Sequence, residues 1–480
     1  MQLISRADKF APAIRDVRNN PCPISTLPVE LLQEIFAFSM TIKPSPRIRP
    51  SIPLEERNPP VFQATALILT WVCSQWRHIA LSLPELWGTM SIYAPKSYCV
   101  QLVKLYLSRS GDDTPLNLRL RQNARRDYRA YRDFESCPEH KVTVEIFKLW
   151  IAQAHRWRSI FLYMTYTPPS YELPTIPADA LCSLEEADLF FRERARDNEV
   201  VIGGLWANIL RSPALRTAYW HDIHSELPAA PFSQLCEFGP FCPTVDEFLT
   251  LLPSCHRLRC LSVDTSKASH NPASTPLEST IILPYLECLN LSIAKNSPNV
   301  LEWLTAPVLR ELKIRDTRDA AFDEVDSLER FLDHSGCTLR ALRLRQERME
   351  DEMPVIKYFS QASHRLVGLE SCSLTILDAT FSERAISLFT PQVVDNTLLV
   401  PFPSLVDLEF YKVVAKDGVL SSMIHSRAAA GAPLWAFDCT VRPRSLNSTG
   451  YPKDEEAMQR LLQDGLHLYW DFWDKDDTIL

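Results

Sequence analysis

Glycine is scarce in this chain, with 11 in 480 residues. Those few never form a phosphate cradle. There is no G-x-G-x-x-G and no G-K-[ST], and Gly203-Gly204 stands alone. A nucleotide site of the Gly-rich-loop kind is therefore excluded. The chain also lacks the G-x-S-x-G turn that raises a nucleophilic serine and the H-E-x-x-H pattern of a zinc helix. Long apolar runs are missing too. None reaches the roughly 18 residues of a spanning helix, and the best, residues 64–73, is interrupted by Thr65 and Thr70. The first ten residues carry Arg6, Asp8 and Lys9 among isolated hydrophobes, which leaves no signal-peptide core. The expectation is an intracellular protein, cytoplasmic or nuclear, with no membrane partner. Positive charge is in deficit: Lys and Arg number 51 against 59 Asp and Glu, a net −8. Nothing in that balance calls for nucleic acid.

Cysteine is present but unpatterned. Thirteen are scattered along the chain, an odd number, and read as reduced thiols. The densest group is Cys236, Cys242, Cys255, His256 and Cys260. Zinc ligands come as C-x₂₋₄-C pairs because a short loop must aim two sulfurs at one tetrahedral centre. Cys236 and Cys242 are too far apart for that, and Cys260 sits in an apolar alternation, so buried thiols are expected and no metal or other cofactor. His221 and His224 have no third ligand in view and read as a surface loop. Arg121, Arg125, Arg126, Arg129 and Arg132 are spaced at helical intervals with Tyr128 and Tyr131 between them. Basic residues among aromatics can hold single strands of nucleic acid. Asp127 and Asp133 dilute the run, however, and a solvated helix or loop face is the expectation.

What the chain has in quantity is proline, 36 residues, which means many stiff connections. Residues 24–40 read as a first helix. Pro28 suits its first position, and Leu27, Leu31, Ile35 and Phe38 make an apolar stripe. A proline-rich stretch at 39–63 cannot be helical and reads as an exposed loop. A second helical pattern follows with Val72, Trp76, Ile79 and Leu83, closing in Leu83-Pro84-Glu85-Leu86-Trp87. Two helices cannot bury that much apolar surface. The module either packs on the rest of the chain or offers a patch to a partner.

From residue 181 onward an L-x-x-L-x-L pattern recurs. Its copies begin at Leu258, Leu286, Leu309, Leu339, Leu405 and Leu434, with a weaker one at Leu366 in which Ser371 stands where an apolar residue should fall. Most intervals lie near the 20–29 residues of leucine-rich repeats. Short amphipathic helices at 245–252, 300–304 and 328–332 fall between the copies, so that strand, loop, helix and loop make one turn. Alternations at 159–164, 184–190 and 215–220 extend the stack towards the N-terminus. The alternative is a non-repetitive α/β domain, favoured by the variable period and the missing asparagine after the third apolar position.

Leu27-Pro28-x-Glu30-Leu31-Leu32-x-x-Ile35-Phe36, Val72-Cys73-x-x-Trp76-Arg77-x-Ile79-Ala80 and Pro84-x-Leu86-Trp87 together resemble the F-box. The resemblance covers roughly residues 24–90 and departs from the family in the proline-rich insertion. It implies a small helical module that docks on the Skp-type adaptor, and through it on the cullin and RING subunits, of SCF-type ubiquitin ligases. On that likeness the adaptor-binding residues are Leu27, Pro28, Glu30, Leu31, Ile35, Phe36, Val72, Cys73, Trp76, Arg77, Leu86 and Trp87, with a structural part expected of Trp76 and Ile79.

The expected fold is α/β. A helical module at 24–92 is preceded by an extension (1–23). An irregular leucine-rich-repeat solenoid at 93–445 follows, with a parallel sheet on its concave face, and then an acidic, aromatic cap or tail at 446–480. Such an architecture resembles a target receptor that is not an enzyme. A scaffold that binds the adaptor without delivering ubiquitin, or an enzyme with an unrecognised pocket, are the alternatives. On the concave face Arg310, Lys313 and Arg315 should stand beside Arg340, Arg343 and Arg345. Arginine forks suit carboxylates and phosphates, so an acidic or phosphorylated target segment is expected there; solvated arginines beside nearby glutamates are the plainer reading.

Overall fold

The computed structural model describes residues 23–39, 61–122, 138–164, 176, 178–191, 199–221, 232–241, 249–265, 280–293, 300–316, 325–346, 352–362, 365–377, 379–441 and 451–472. The chain divides into two compact units, Met1–Ala214 and Leu215–Leu480. The architecture is mixed α/β with parallel strands in both. Among the described residues no helix is long and apolar enough to cross a membrane.

Among the described residues, the first elements of the first unit are a single 3₁₀ turn, Pro23–Thr26, and helix α1, Val29–Ser39. Pro28 lies just before the helix, its carbonyl accepting the Leu32 N–H at 3.1 Å. The expected second helix is in fact two, α2 at Thr65–Val72 and α3 at Ser74–Ser82. Cys73 separates them in an extended conformation, and its Sγ caps α3 by accepting the Trp76 N–H at 3.4 Å. Val72 and Trp76, taken as one stripe from their spacing, therefore sit on different helices.

Strands β1 (Thr89–Tyr93), β2 (Leu116–Arg121), β3 (Trp157–Met164) and β4 (Glu186–Phe191) alternate with α4 (Ser97–Arg109) and α5 (Pro138–Ile151), and α6 (Glu199–Leu210) follows β4. The strands pair in chain order, all parallel. In β2 the leucines face inward while Asn117, Arg119 and Arg121 look outward, the period-2 alternation of a sheet covered on one side. Of the proline-rich stretch, residues 40–60 lie outside the described residues. Its last part is no free loop, since Phe62 is buried and bridges Ile92 of β1.

One device joins helix to strand twice. Trp87 donates its indole N–H to the Ala80 carbonyl, and Trp157 donates to the Trp150 carbonyl, both at 2.9 Å. Carbonyls at a helix C-terminus have no partner within the helix. A tryptophan seven residues on supplies one from the threshold of the next strand, and both indoles are fully buried.

The second unit carries β5 (Thr217–His221), β6 (Glu237–Phe241), β7 (Cys260–Asp264), β8 (Cys288–Ile293), β9 (Glu311–Asp316), β10 (Ala341–Gln346), β11 (Ser371–Ile376), β12 (Asp407–Val413), β13 (Ala436–Val441) and β14 (His467–Phe472). They too pair parallel in chain order. Leu261, Leu289, Leu312, Leu342, Cys372, Leu408 and Phe437 fall in one register line, all buried. The copy placed at Leu366 thus begins three residues later, as Leu369-x-x-Cys372-x-Leu374. A cysteine stands where the other copies have leucine, and it is as fully buried as they are.

Helices α7 (Val325–Ser335), α8 (Met353–Ala362), α9 (Glu383–Ser387), α10 (Val419–Ala429) and α11 (Pro452–Gln463) intervene between later strands. Residues 300–303 make a single 3₁₀ turn rather than a helix, and 245–248 lie outside the described residues. The segment read as a cap or tail contains α11 and β14, one further helix and strand on β13. Asp454 of α11 accepts the N–H groups of Gly418 and Ser421 at 2.9 and 2.8 Å, capping α10. Asp417 accepts those of Lys453 and Asp454 in return, at 2.9 and 3.0 Å.

The longest interval between copies holds α9 and an antiparallel hairpin, Gln392–Val394 with Thr397–Leu399. Asp395 and Asn396 form its turn at φ 49° and 62°, the left-handed region that a two-residue hairpin turn requires. Arg427 of α10 fixes both flanks of this insertion. Its fully buried guanidinium donates to the carbonyls of Phe389, Pro401, Phe402 and Leu405 at 3.0, 2.8, 2.9 and 3.4 Å. Phe359, Phe389, Phe402 and Phe410 pack edge and tilt around the same segment. Replacing Arg427 with Leu strands several buried carbonyls, each a loss of about 1–3 kcal/mol. The variant should unfold at clearly lower urea concentration, and Arg427→Lys, whose single ammonium cannot reach all four acceptors, should recover only part of the loss. An unchanged midpoint in Arg427→Leu contradicts this account.

Candidate functional site

Two surfaces gather the residues that the sequence singles out, one in each unit. In the helical module α1 turns Leu32 and Phe36 inward at i and i+4, and Phe36 meets the Trp76 ring edge-on at 4.9 Å. Ile79, Ala80, Leu86 and Trp87 complete this core. Phe36, Leu86 and Trp87 are each 1% exposed. They hold the module together and cannot touch a partner, which corrects their assignment to an adaptor contact. Trp76 is half-buried and Ile79 internal.

The opposite faces are apolar and open. Leu31, Ile35 and Phe38 follow one another at i, i+4 and i+7 on α1, and Ile68, Trp71 and Val72 at i, i+3 and i+4 on α2. Trp71 is 71% exposed. Pro28, Glu30, Cys73 and Arg77 are exposed and Leu27 is half-buried. Ile68 and Trp71 escape a reading that starts the second helix at Val72. The signal for them lies in the apolar run at 64–73, once it is taken as a helix of its own.

On the open face of the second unit, Lys313 stands beside Arg343 and Arg315 beside Arg345, as the repeat spacing predicts. Arg310 and Arg340 do not join them. They precede the strands, linked through the Arg310 carbonyl and the Arg340 N–H, and Arg340 lies 3.5 Å from Glu370 at an exposed edge. Four of the six cations therefore share the face. Lys313 is paired with Glu311 at 2.7 Å. Burial raises the Glu311 carboxyl, but Lys313, the Cys288 thiol and the Arg343 charge outweigh it and hold the group below its ordinary range.

The other candidates resolve differently. Arg121 is no part of a solvated helix. It ends β2 with its guanidinium 5.6 Å from the Tyr93 ring and 4.9 Å from the Tyr163 ring, and Tyr163 stacks on Phe190 at 4.3 Å. Arg125, Arg126, Arg129 and Arg132 lie outside the described residues, as do His224 and Cys242. Cys255 is buried, its thiol 3.5 Å from the Leu251 carbonyl and pushed up to about 11 by desolvation. Cys260 and Cys288 are neighbours across β7 and β8; their mutual hydrogen bond, with burial, raises the Cys288 thiol further still. Among the described residues no group of three or more His, Cys, Asp or Glu could hold a metal ion.

No family model matches the chain, and no curated protein matches it.

The depressed Glu311 carboxyl carries a pH dependence. A group lower in the folded than in the unfolded chain stabilises above its unfolded value and loses that contribution as pH falls through its folded one. The stability difference between the native chain and Glu311→Gln should be constant near neutral pH. It should shrink as pH drops below about 4, the ordinary carboxylate range. Urea midpoints of the two proteins measured across that window test it; a gap that widens on acidification contradicts the assignment.

Proposed function

We propose that this chain is the target-recognition subunit of an SCF-type ubiquitin ligase. The helical module docks on a Skp-type adaptor, and the leucine-rich strands of the second unit, built as a solenoid, hold a target protein. The observation that carries the reading is the exposed stripe pair on α1 and α2, Leu31, Ile35, Ile68, Trp71 and Val72, laid over a closed core in the segment whose motif resembles the F-box. Exposed apolar surface of that density marks an interface, and Trp71 is its energetic centre in this reading, since interface energies concentrate on Trp.

The chain performs no chemistry in this reading. It raises the local concentration of target lysines near a conjugating enzyme held elsewhere in the assembly. Lys313, Arg315, Arg343 and Arg345 then receive an acidic or phosphorylated segment of the target, since guanidinium forks pair with such groups in bidentate fashion. Pull-down of the full chain with a Skp-type adaptor and cullin is the test. Leu31→Asp with Trp71→Asp should cut adaptor capture by roughly thirty-fold or more, two losses of about 1 kcal/mol or more each. Both side chains are exposed, so the double variant should melt like the native chain. Capture of adaptor without cullin points to a scaffold, and capture unaffected by the double variant overturns the reading.

A further inference from the structure

The open face of the second unit is not simply basic. Along its middle register line stand Asn290, Lys313, Arg343, Ser373, Glu409 and Asp438, one on each of β8 to β13. Two cations are followed by a serine and then by two acids. The line above repeats the order of cations and hydroxyls, with Arg315, Arg345 and Thr375. Glu311 offsets only one of the four cations on β9 and β10, through its pair with Lys313, while Asp407, Glu409 and Asp438 stand on β12 and β13. The face is therefore a dipole laid across the strands, and a wholly acidic ligand long enough to cross it would meet Glu409.

Three observations show that this line is not closed by its own neighbours. The Arg343 Nε–H is buried and has no hydrogen-bond acceptor among the described residues, and the Asn290 Oδ1 is buried with no donor. Glu409 is half-buried and makes no ion pair among the described residues. Buried polar atoms without partners are rare in folded chains and call for a partner from outside the chain, water or ligand.

Geometry decides the form of that occupant. Adjacent strands lie about 4.8 Å apart, so Lys313, Arg343 and Glu409 occur at roughly 0, 5 and 14 Å along the line. An extended peptide presents same-face side chains at about 0, 6.7 and 13.4 Å, which misses Arg343 by about 2 Å. A helix presents positions i, i+3 and i+10 on one face at about 0, 4.5 and 15 Å, within about 1 Å of all three side chains.

We propose that the face binds a helical segment of the target lying across the strands. Its acidic side chains, carboxylate or phosphate, oppose Lys313 and Arg343, and a basic side chain two turns further on opposes Glu409. This deepens the target-binding reading above and rests on it.

The test uses synthetic helical peptides titrated into the full chain. Each carries two glutamates three residues apart. The position seven residues after the second glutamate is Lys, Gln or Glu. The lysine peptide should bind the native chain roughly five-fold tighter than the glutamate peptide, about 1 kcal/mol of charge coupling, with glutamine between them and the difference fading at high salt. Glu409→Lys should invert that ranking, and Arg343→Glu should weaken all three peptides. Replacing the paired glutamates with phosphoserines separates the two acidic chemistries. Equal binding of the lysine and glutamate peptides, or a ranking that Glu409→Lys leaves in place, overturns the inference. Because adaptor capture depends on α1 and α2, a chain that captures adaptor yet fails to rank the peptides loses only this inference. A chain that ranks the peptides without capturing adaptor loses only the ligase assignment.

Discussion

Each parallel strand in this protein can satisfy its backbone only through the strand before it and the strand after it. From that single constraint the rest of each unit follows. Chain-order pairing stacks the same positions of successive segments on one another, so the inward residues form unbroken lines, such as Leu312, Leu342, Cys372 and Leu408. The outward residues are placed in register by the same ladder, and this is why Lys313 meets Arg343 and why Tyr93, Arg121, Tyr163 and Phe190 form a row in the first unit. Surface chemistry here is a by-product of backbone hydrogen bonding.

The helical module obeys a different economy. It has too few residues to enclose all its apolar side chains, and it divides them by face. Phe36, Trp76 and Trp87 close the inside with an edge-on ring contact and an indole bond to Ala80, while Leu31, Ile35 and Trp71 remain outside. The same indole bond recurs at Trp157, where no resemblance to a docking module exists. The junction between the module and β1 is thus built like an ordinary helix-to-strand joint of this unit.

How far the sequence could be read depended on whether a residue type has one meaning. Leucines at fixed spacing have one, and the six strong copies from Leu258 to Leu434 all coincide with strands. Cys372 has two, reactive thiol or small core residue, and taking it for neither displaced that copy by three residues. Helical periodicity shows that a stripe exists but not which way it points: both Leu31 and Leu32 start an i, i+4 pair, and only packing against Trp76 turns the Leu32–Phe36 pair inward. The break at Cys73 had no proline or glycine to announce it. Arg310 and Arg340 sit on positions that the pattern alone cannot tell from Lys313, because the strand begins one residue after each. Strand β14 has Gly465 where a copy would have its first leucine, yet Leu468 joins the register line opposite Phe437.

The insertion anchored by Arg427 separates two things that are usually coupled. One guanidinium grips the carbonyls at Phe389 and at Pro401 to Leu405, so the flanks of the hairpin are clamped to α10 whatever lies between them. The eight residues from Gln392 to Leu399 carry only exposed side chains and hand no residue to the core. Their sequence and length are free to vary while the strands on either side keep their register. That makes the hairpin a natural display position, where a foreign epitope or a pair of dyes can be grafted without disturbing the strands on either side of it.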